Sequence, residues 1–141
     1  MHKNNLCVSL CILFVFIFCN TTTLAYPIRT HAIFTCPCAN ELYILDNYIV
    51  GLGSELILHQ SNPVNFKTSI PQTGSLGNFI NYKVNGINYD STTGQLSCDY
   101  ISNNPTEQPF ELTYYMMNGN GGIVQAKSMN TISILLFIGL H

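Results

Sequence analysis

Along the chain, two apolar runs at the ends enclose a middle that alternates. Residues 6–19 (LCVSLCILFVFIFC) are apolar except for Ser9. From residue 26 onward, Gly, Pro, Asn, Ser and Thr recur every few positions, and short runs of β-branched, aromatic and aliphatic residues lie between them. Segments 42–45 and 48–50 form the first such run, and Gly51-Leu52-Gly53-Ser54 after them reads as a turn. Residues 55–60 form the second, with His59 near its end and Asn62-Pro63 as its stop. Residues 64–68 alternate cleanly. In 95–100, Leu96, Cys98 and Tyr100 fall on one face while Ser97 and Asp99 point away, the period-2 signature of a strand with one buried side. Residues 110–117 make a further strand. Asn85-Gly86 between two β-rich runs predicts a hairpin with a two-residue turn, setting Val84 against Ile87 and Tyr82 against Tyr89. Short strands with regular turn signals predict an all-β fold, a small antiparallel sandwich or partly open barrel, preceded by a cleavable signal helix.

The leading apolar run is too short for a bilayer span, which takes about 20 residues, but it fits the core of a secretory signal. Lys3 supplies a weak positive start, and Thr23 and Ala25 are small residues before a cut between Ala25 and Tyr26. An uncleaved N-terminal anchor is the alternative. The chain then divides into a signal peptide at 1–25, an N-terminal arm with Cys-Pro-Cys at 26–40, and one β-rich domain at 41–141. The last run, 132–140, reads as a buried final strand. It reads alternatively as the tail of a lipid-anchor signal, with Gly121 and Gly122 as attachment residues and 123–131 as spacer.

Cleavage removes Cys7, Cys11 and Cys19 and leaves Cys36, Cys38 and Cys98. An exported chain meets an oxidising compartment, where thiols pair and an odd number leaves one over. Cys36 and Cys38 would close a very small ring around Pro37. One of them is therefore expected to bond Cys98, and Cys36–Cys98 is favoured, with Cys38 free or paired between molecules. Charged residues are only 9% of the chain and the net charge is −2, without the basic face a nucleic-acid binder needs.

Candidate chemistry is sparse. Cys36, Cys38, His31 and His59 are residue types that hold zinc or copper, but structural zinc sites use two spaced ligand pairs, and His31 falls in the expected arm. No metal and no cofactor is therefore expected. Glu55, Asp90, Asp99, Glu107 and Glu111 include enough carboxyls for acid–base work, yet no spacing singles out two of them. Tyr82, Tyr89, Tyr100, Tyr114 and Tyr115 lie in predicted strands, where core packing and a recognition surface are both open to them.

Cys36-Pro37 near the mature N-terminus, with Leu96-Ser97-Cys98-Asp99-Tyr100 on a late strand, resembles a pattern in short exported bacterial proteins of unassigned function. The resemblance covers about residues 34–101, and Cys38 and the apolar C-terminus depart from it. It implies a secreted or periplasmic β-rich domain with a Cys36–Cys98 link and supplies no catalytic residues. The function expected is an exported, non-enzymatic interaction or structural role, with an extracellular or periplasmic partner. Membrane contact is expected only through the signal peptide or a C-terminal anchor. A surface-anchored protein and a small hydrolase or metal-binding protein are the alternatives.

Overall fold

The computed structural model describes residues 28–73, 78–116 and 122–138. The signal helix, the Ala25–Tyr26 cut and Gly121 lie outside them. Within them, β1 (Ile28–Thr35), β2 (Tyr43–Leu45), β3 (Tyr48–Ile57), β4 (Gln60–Lys67), β5 (Tyr82–Asp90), β6 (Gln95–Ser102), β7 (Phe110–Tyr115), β8 (Ile123–Lys127) and β9 (Thr131–Ile138) form one antiparallel sheet. A single 3-10 turn, Ala39–Glu41, interrupts the β-structure. The spatial order is β5-β6-β7-β4-β3-β1-β9-β8, with β2 paired to β3.

The sheet curls into a nearly closed barrel. Its two edge strands meet through side chains rather than a ladder: Lys127 Nζ donates to Asn88 Oδ1, and Tyr89 bonds the backbone of Gly122. A second seam lies between β4 and β7, where Lys67↔Thr113 is the one registered pair and Thr113 Oγ1 donates to Lys67 O at 3.2 Å. Two halves thus lean on each other across a shared interior, which is how a sandwich and a partly open barrel become one object.

Alternation decides what fills that interior. Thr30, Ala32 and Phe34 of β1, Val64 and Phe66 of β4, Leu96, Cys98 and Tyr100 of β6, and Ile132, Ile134 and Leu136 of β9 are all buried. Phe110 stacks on Tyr100 with ring centroids 5.0 Å apart, and Tyr82 and Phe79 close round it. The expected faces of 95–100 are as read, and 132–138 belongs to a core strand that pairs along the whole of β1.

Several local expectations are corrected. The arm assigned to 26–40 is, from Ile28, a central strand of the domain flanked by β3 and β9, so the domain does not begin at 41. Asn85-Gly86 is no hairpin turn. β5 runs straight through it with a bulge between Val84 and Gly86, pairing with β6 from Tyr82↔Ser102 to Asp90↔Gln95, and the chain reverses at Gly94 (φ 70°). The bulge moves the inward set from Tyr82 and Val84 to Ile87 and Tyr89, the same change of parity the hairpin would have explained. Gly51–Ser54 is likewise no turn but the middle of β3. A Cβ on Gly53 would sit 2.4 Å from Thr35 O and 2.6 Å from the Phe66 ring, so glycine here serves close approach. Pro63 lies inside β4, opposite Ser54 and beside the β4–β7 seam, where an edge tolerates a missing donor.

Candidate functional site

Two tight turns bound β3, and both hold two residues at positive φ. Asp46 and Asn47 (50° and 67°) make the first, Leu58 and His59 (49° and 65°) the second. The second turn folds over the outer face of β1. Register places Ile33 opposite Leu56 and His31 opposite Leu135 on that face. With Arg29, His31, Ile33, Leu56, Leu58 and His59 along its walls, a shallow depression of about 340 Å³ opens there. Leu58 is 70% exposed at its rim. The surface is apolar in its middle and basic at its edge.

The acidic side chains lie elsewhere. Glu41 is in the 3-10 turn, Asp46 in the first β3 turn, Asp90, Asp99 and Glu111 on β5, β6 and β7, and Glu107 in the loop before β7. Glu55 is on β3, but its partner Phe34 fixes it to the inner face. There burial raises the Glu55 carboxyl above its ordinary range, and its charge, after burial, helps raise the nearby Tyr114 phenol. Tyr114 packs on Phe66, centroids 5.7 Å apart, and on Phe34 at 6.4 Å.

The residues weighed as metal ligands separate. Cys36 is bonded to Cys98, Cα–Cα 5.9 Å, with both residues buried. Cys38 is exposed beside the same end of the barrel. His31 and His59 meet at the β1 depression, at the opposite end of β3. Among the described residues, no three His, Cys, Asp or Glu come together as a metal set. The disulfide end is further tied by Tyr100, whose hydroxyl donates to Pro37 O at 2.6 Å. Burial first, and the charge of Cys38 second, raise that phenol.

Asp99 and Glu111 are cross-strand partners whose carboxyls share a hydrogen bond. Burial, then the Asp99 charge, raise Glu111, while Asn88 Nδ2 donates to Asp99 Oδ2 at 3.1 Å. The pair lies on the solvent side of β6 and β7. Glycosidase carboxyls stand about 5 Å or more apart to admit a sugar or a water, so a directly bonded pair does not match that geometry. Of the tyrosines, Tyr82 and Tyr100 are core, Tyr89 and Tyr114 are half-buried, and Tyr115 is 59% exposed. Sequence reading missed Arg29, Ile33, Leu56 and Leu58 as a surface. Their gathering depends on the β1–β3 register, which no local motif announces.

No family model, curated protein or solved structure matches the chain. Among the described residues, no helix is long and apolar enough to cross a membrane.

Proposed function

We propose that the protein is exported and works outside the cytoplasm as a non-enzymatic interaction protein, a disulfide-stapled β-barrel offering an outer face to a partner. The observation that carries this reading is the buried Cys36–Cys98 bond, which joins the end of β1 to the middle of β6 across 62 residues. Such a bond persists in oxidising compartments and is rare where thiols are kept reduced. The short apolar run at 6–19 supports export as its route. The basic and apolar depression on β1 supports a binding role, since large exposed apolar side chains gathered beside charge are typical of contact surfaces.

Of the anchored alternatives, a C-terminal lipid anchor is the less favourable. Attachment at Gly121 or Gly122 would remove β8 and the whole of β9, which pairs with β1 from Thr35↔Thr131 to Ile28↔Ile138 and buries Ile132 and Ile134. A barrel without those strands would leave one edge of β1 unpaired and open the interior beside it.

The test is mass spectrometry and N-terminal sequencing of exported material without reduction. The expected product starts at Tyr26, has one internal disulfide, and offers Cys38 alone to a maleimide until it is reduced. A chain that keeps Met1 and stays reduced in the cytosol would overturn the reading.

A further inference from the structure

We propose that the open edge of β2 takes a strand from a partner protein, an extended peptide with apolar residues between two basic ones. This rests on the reading of an exported interaction protein and names its class of partner, at a site apart from the depression on β1.

The backbone of β2 leaves one donor and one acceptor without a ladder. Asp46-Asn47 is a two-residue turn, so Leu45 and Tyr48 bond each other, and the next pair, Ile44 and Ile49, turn their N–H and C=O groups away from each other. Ile49 finds partners on its far side: its carbonyl accepts from Thr68 N at 3.0 Å, and its N–H donates to Thr68 Oγ1 at 3.3 Å. Ile44 has no such neighbour. β2 pairs with β3 alone, and among the described residues no backbone group bonds the outer side of Ile44. An edge of this kind is a template for one more strand.

Beside that edge runs an apolar groove of about 500 Å³. Leu42, Tyr43 and Ile44 line it from β2 and its approach, and Asn78, Phe79 and Ile80 from the segment before β5. Leu42 and Phe79 are buried, while Tyr43, Ile44 and Ile80 are exposed. An added strand alternates its side chains, so apolar ones at every second position enter the groove and the others face solvent.

Charge selects the occupant. Glu41 precedes β2 and Asp46 follows it, and neither carboxylate has a cationic partner among the described residues. Lys67, which lies across β3 from Tyr43 through Val50, sits over the Tyr48 ring at 5.3 Å instead. A stretch of chain as long as 41–46 spans at most about 17 Å, so basic residues about five positions apart in the partner meet one acid each. A second copy pairing through its own β2 would bring the same two acids to the joint, and like charges oppose that pairing.

Fluorescence anisotropy on the purified exported protein tests this with a labelled, end-blocked hexapeptide, Lys-Val-Thr-Val-Thr-Lys. The expected result is saturable binding that weakens as salt rises. Exchanging both lysines for glutamate should weaken it at least about tenfold, and Asp46→Asn or Glu41→Gln about threefold each. The same peptide N-methylated at its central residues should not bind, since it loses its ladder donors; docking by side chains alone would survive that change. Ile44→Pro removes the outward N–H at an edge position that tolerates proline, and should weaken binding at least about tenfold with little change in melting temperature. In the unmutated protein, added peptide should slow amide exchange at Ile44, a readout that no misfolded variant can mimic.

No binding of the lysine peptide overturns the proposal, as does equal binding of the glutamate or the N-methylated peptide. A dimer in sedimentation equilibrium that Ile44→Pro dissociates would overturn it in favour of a second copy on this edge. Each of these results leaves export, a Tyr26 start and the disulfide intact, so a failure of strand addition is separable from a failure of the functional reading.

Discussion

β3 enters and leaves through turns of nearly the same backbone and opposite chemistry. At its start, Asp46 and Asn47 take φ of 50° and 67°; at its end, Leu58 and His59 take 49° and 65°. The first pair are residues whose short polar side chains tolerate the left-handed region, and the second include a γ-branched leucine that gains nothing there. The first turn sits at the barrel end where everything is tied: Cys36 to Cys98, Tyr100 to Pro37, and Gly51 pressed close to Leu42 and Pro37. The second sits where an apolar and basic depression opens to solvent. One end follows the rules of folding throughout. The other breaks a local rule where its side chains are exposed, as functional surfaces do.

Cutting the staple should be the largest way to break this contrast. Cys36→Ala with Cys98→Ala frees a loop spanning 62 residues. Chain-entropy reasoning puts the loss at up to about 4 kcal/mol, and the void left by the two buried sulfurs adds to it. Thermal unfolding measures the sum. Hydrogen exchange should locate the loosening at the end holding Tyr100 and Phe110, and leave amides near Leu58 unchanged.

Gly53→Ala probes the middle of the same strand, between the two ends. The added methyl meets Thr35 O, a backbone atom that cannot swing aside, and the edge of Phe66. A loss of about 2–3 kcal/mol is expected, the upper range for overpacking, read from urea unfolding. If Gly53→Ala were neutral, the close contact of β1, β3 and β4 would not be tight enough to hold the face on which Ile33 and Leu56 meet.

Exchanging the turns sharpens the comparison directly. Replacing Leu58-His59 with Asn-Gly should stabilise the protein by about 1 kcal/mol, and replacing Asp46-Asn47 with Leu-His should destabilise it by a similar amount. Melting temperatures of the two variants should therefore move in opposite directions. Movement in the same direction would mean that the turns are not equivalent and that Leu58 has a structural reason for its place.

These elements also mark how far the sequence could be read. The faces of β6 were legible because Leu96, Cys98 and Tyr100 are large and alternate with Ser97 and Asp99. β1 was illegible as a core strand because two of its inward residues, polar Thr30 and small Ala32, carry little hydrophobic signal; their burial depends on β3 and β9 flanking them and the barrel closing over them. Asn85-Gly86 carried a strong local turn signal, but a hairpin there would have had short arms. The long β5–β6 ladder absorbs the dipeptide as a bulge and keeps both halves of β5 paired. Ring geometry disfavoured Cys36–Cys38 and left either cysteine to bond Cys98; Cys36 was favoured, and the structure bonds that one. The His31–His59 surface was not legible, since only the register of β1 on β3 and the reversal at Leu58 bring the two imidazoles to one depression.

The smallest expected effect concerns Glu55, whose side chain enters the barrel near the less constrained end. Burial raises its carboxyl pKa in the folded state above the unfolded value of about 4.3. The folded protein therefore holds that proton more tightly than the unfolded chain. The sign follows: the contribution is fully present below the unfolded pKa, is lost as pH rises through the folded value, and stays constant above it. Glu111 acts in the same direction, and Asp90, lowered by bonds from Thr92 and Thr93, acts in the other. The absolute pH profile thus mixes all three, and the difference between wild type and Glu55→Gln isolates one. Urea unfolding from pH 4 to pH 7 should show the variant gaining on the wild type as pH rises, by a modest margin because the site is partly solvated. A constant difference would place Glu55 in solvent in both states. The inner face of β3 would then be as open at that end as its outer face, and the contrast between the two ends of the strand would extend through the wall of the barrel.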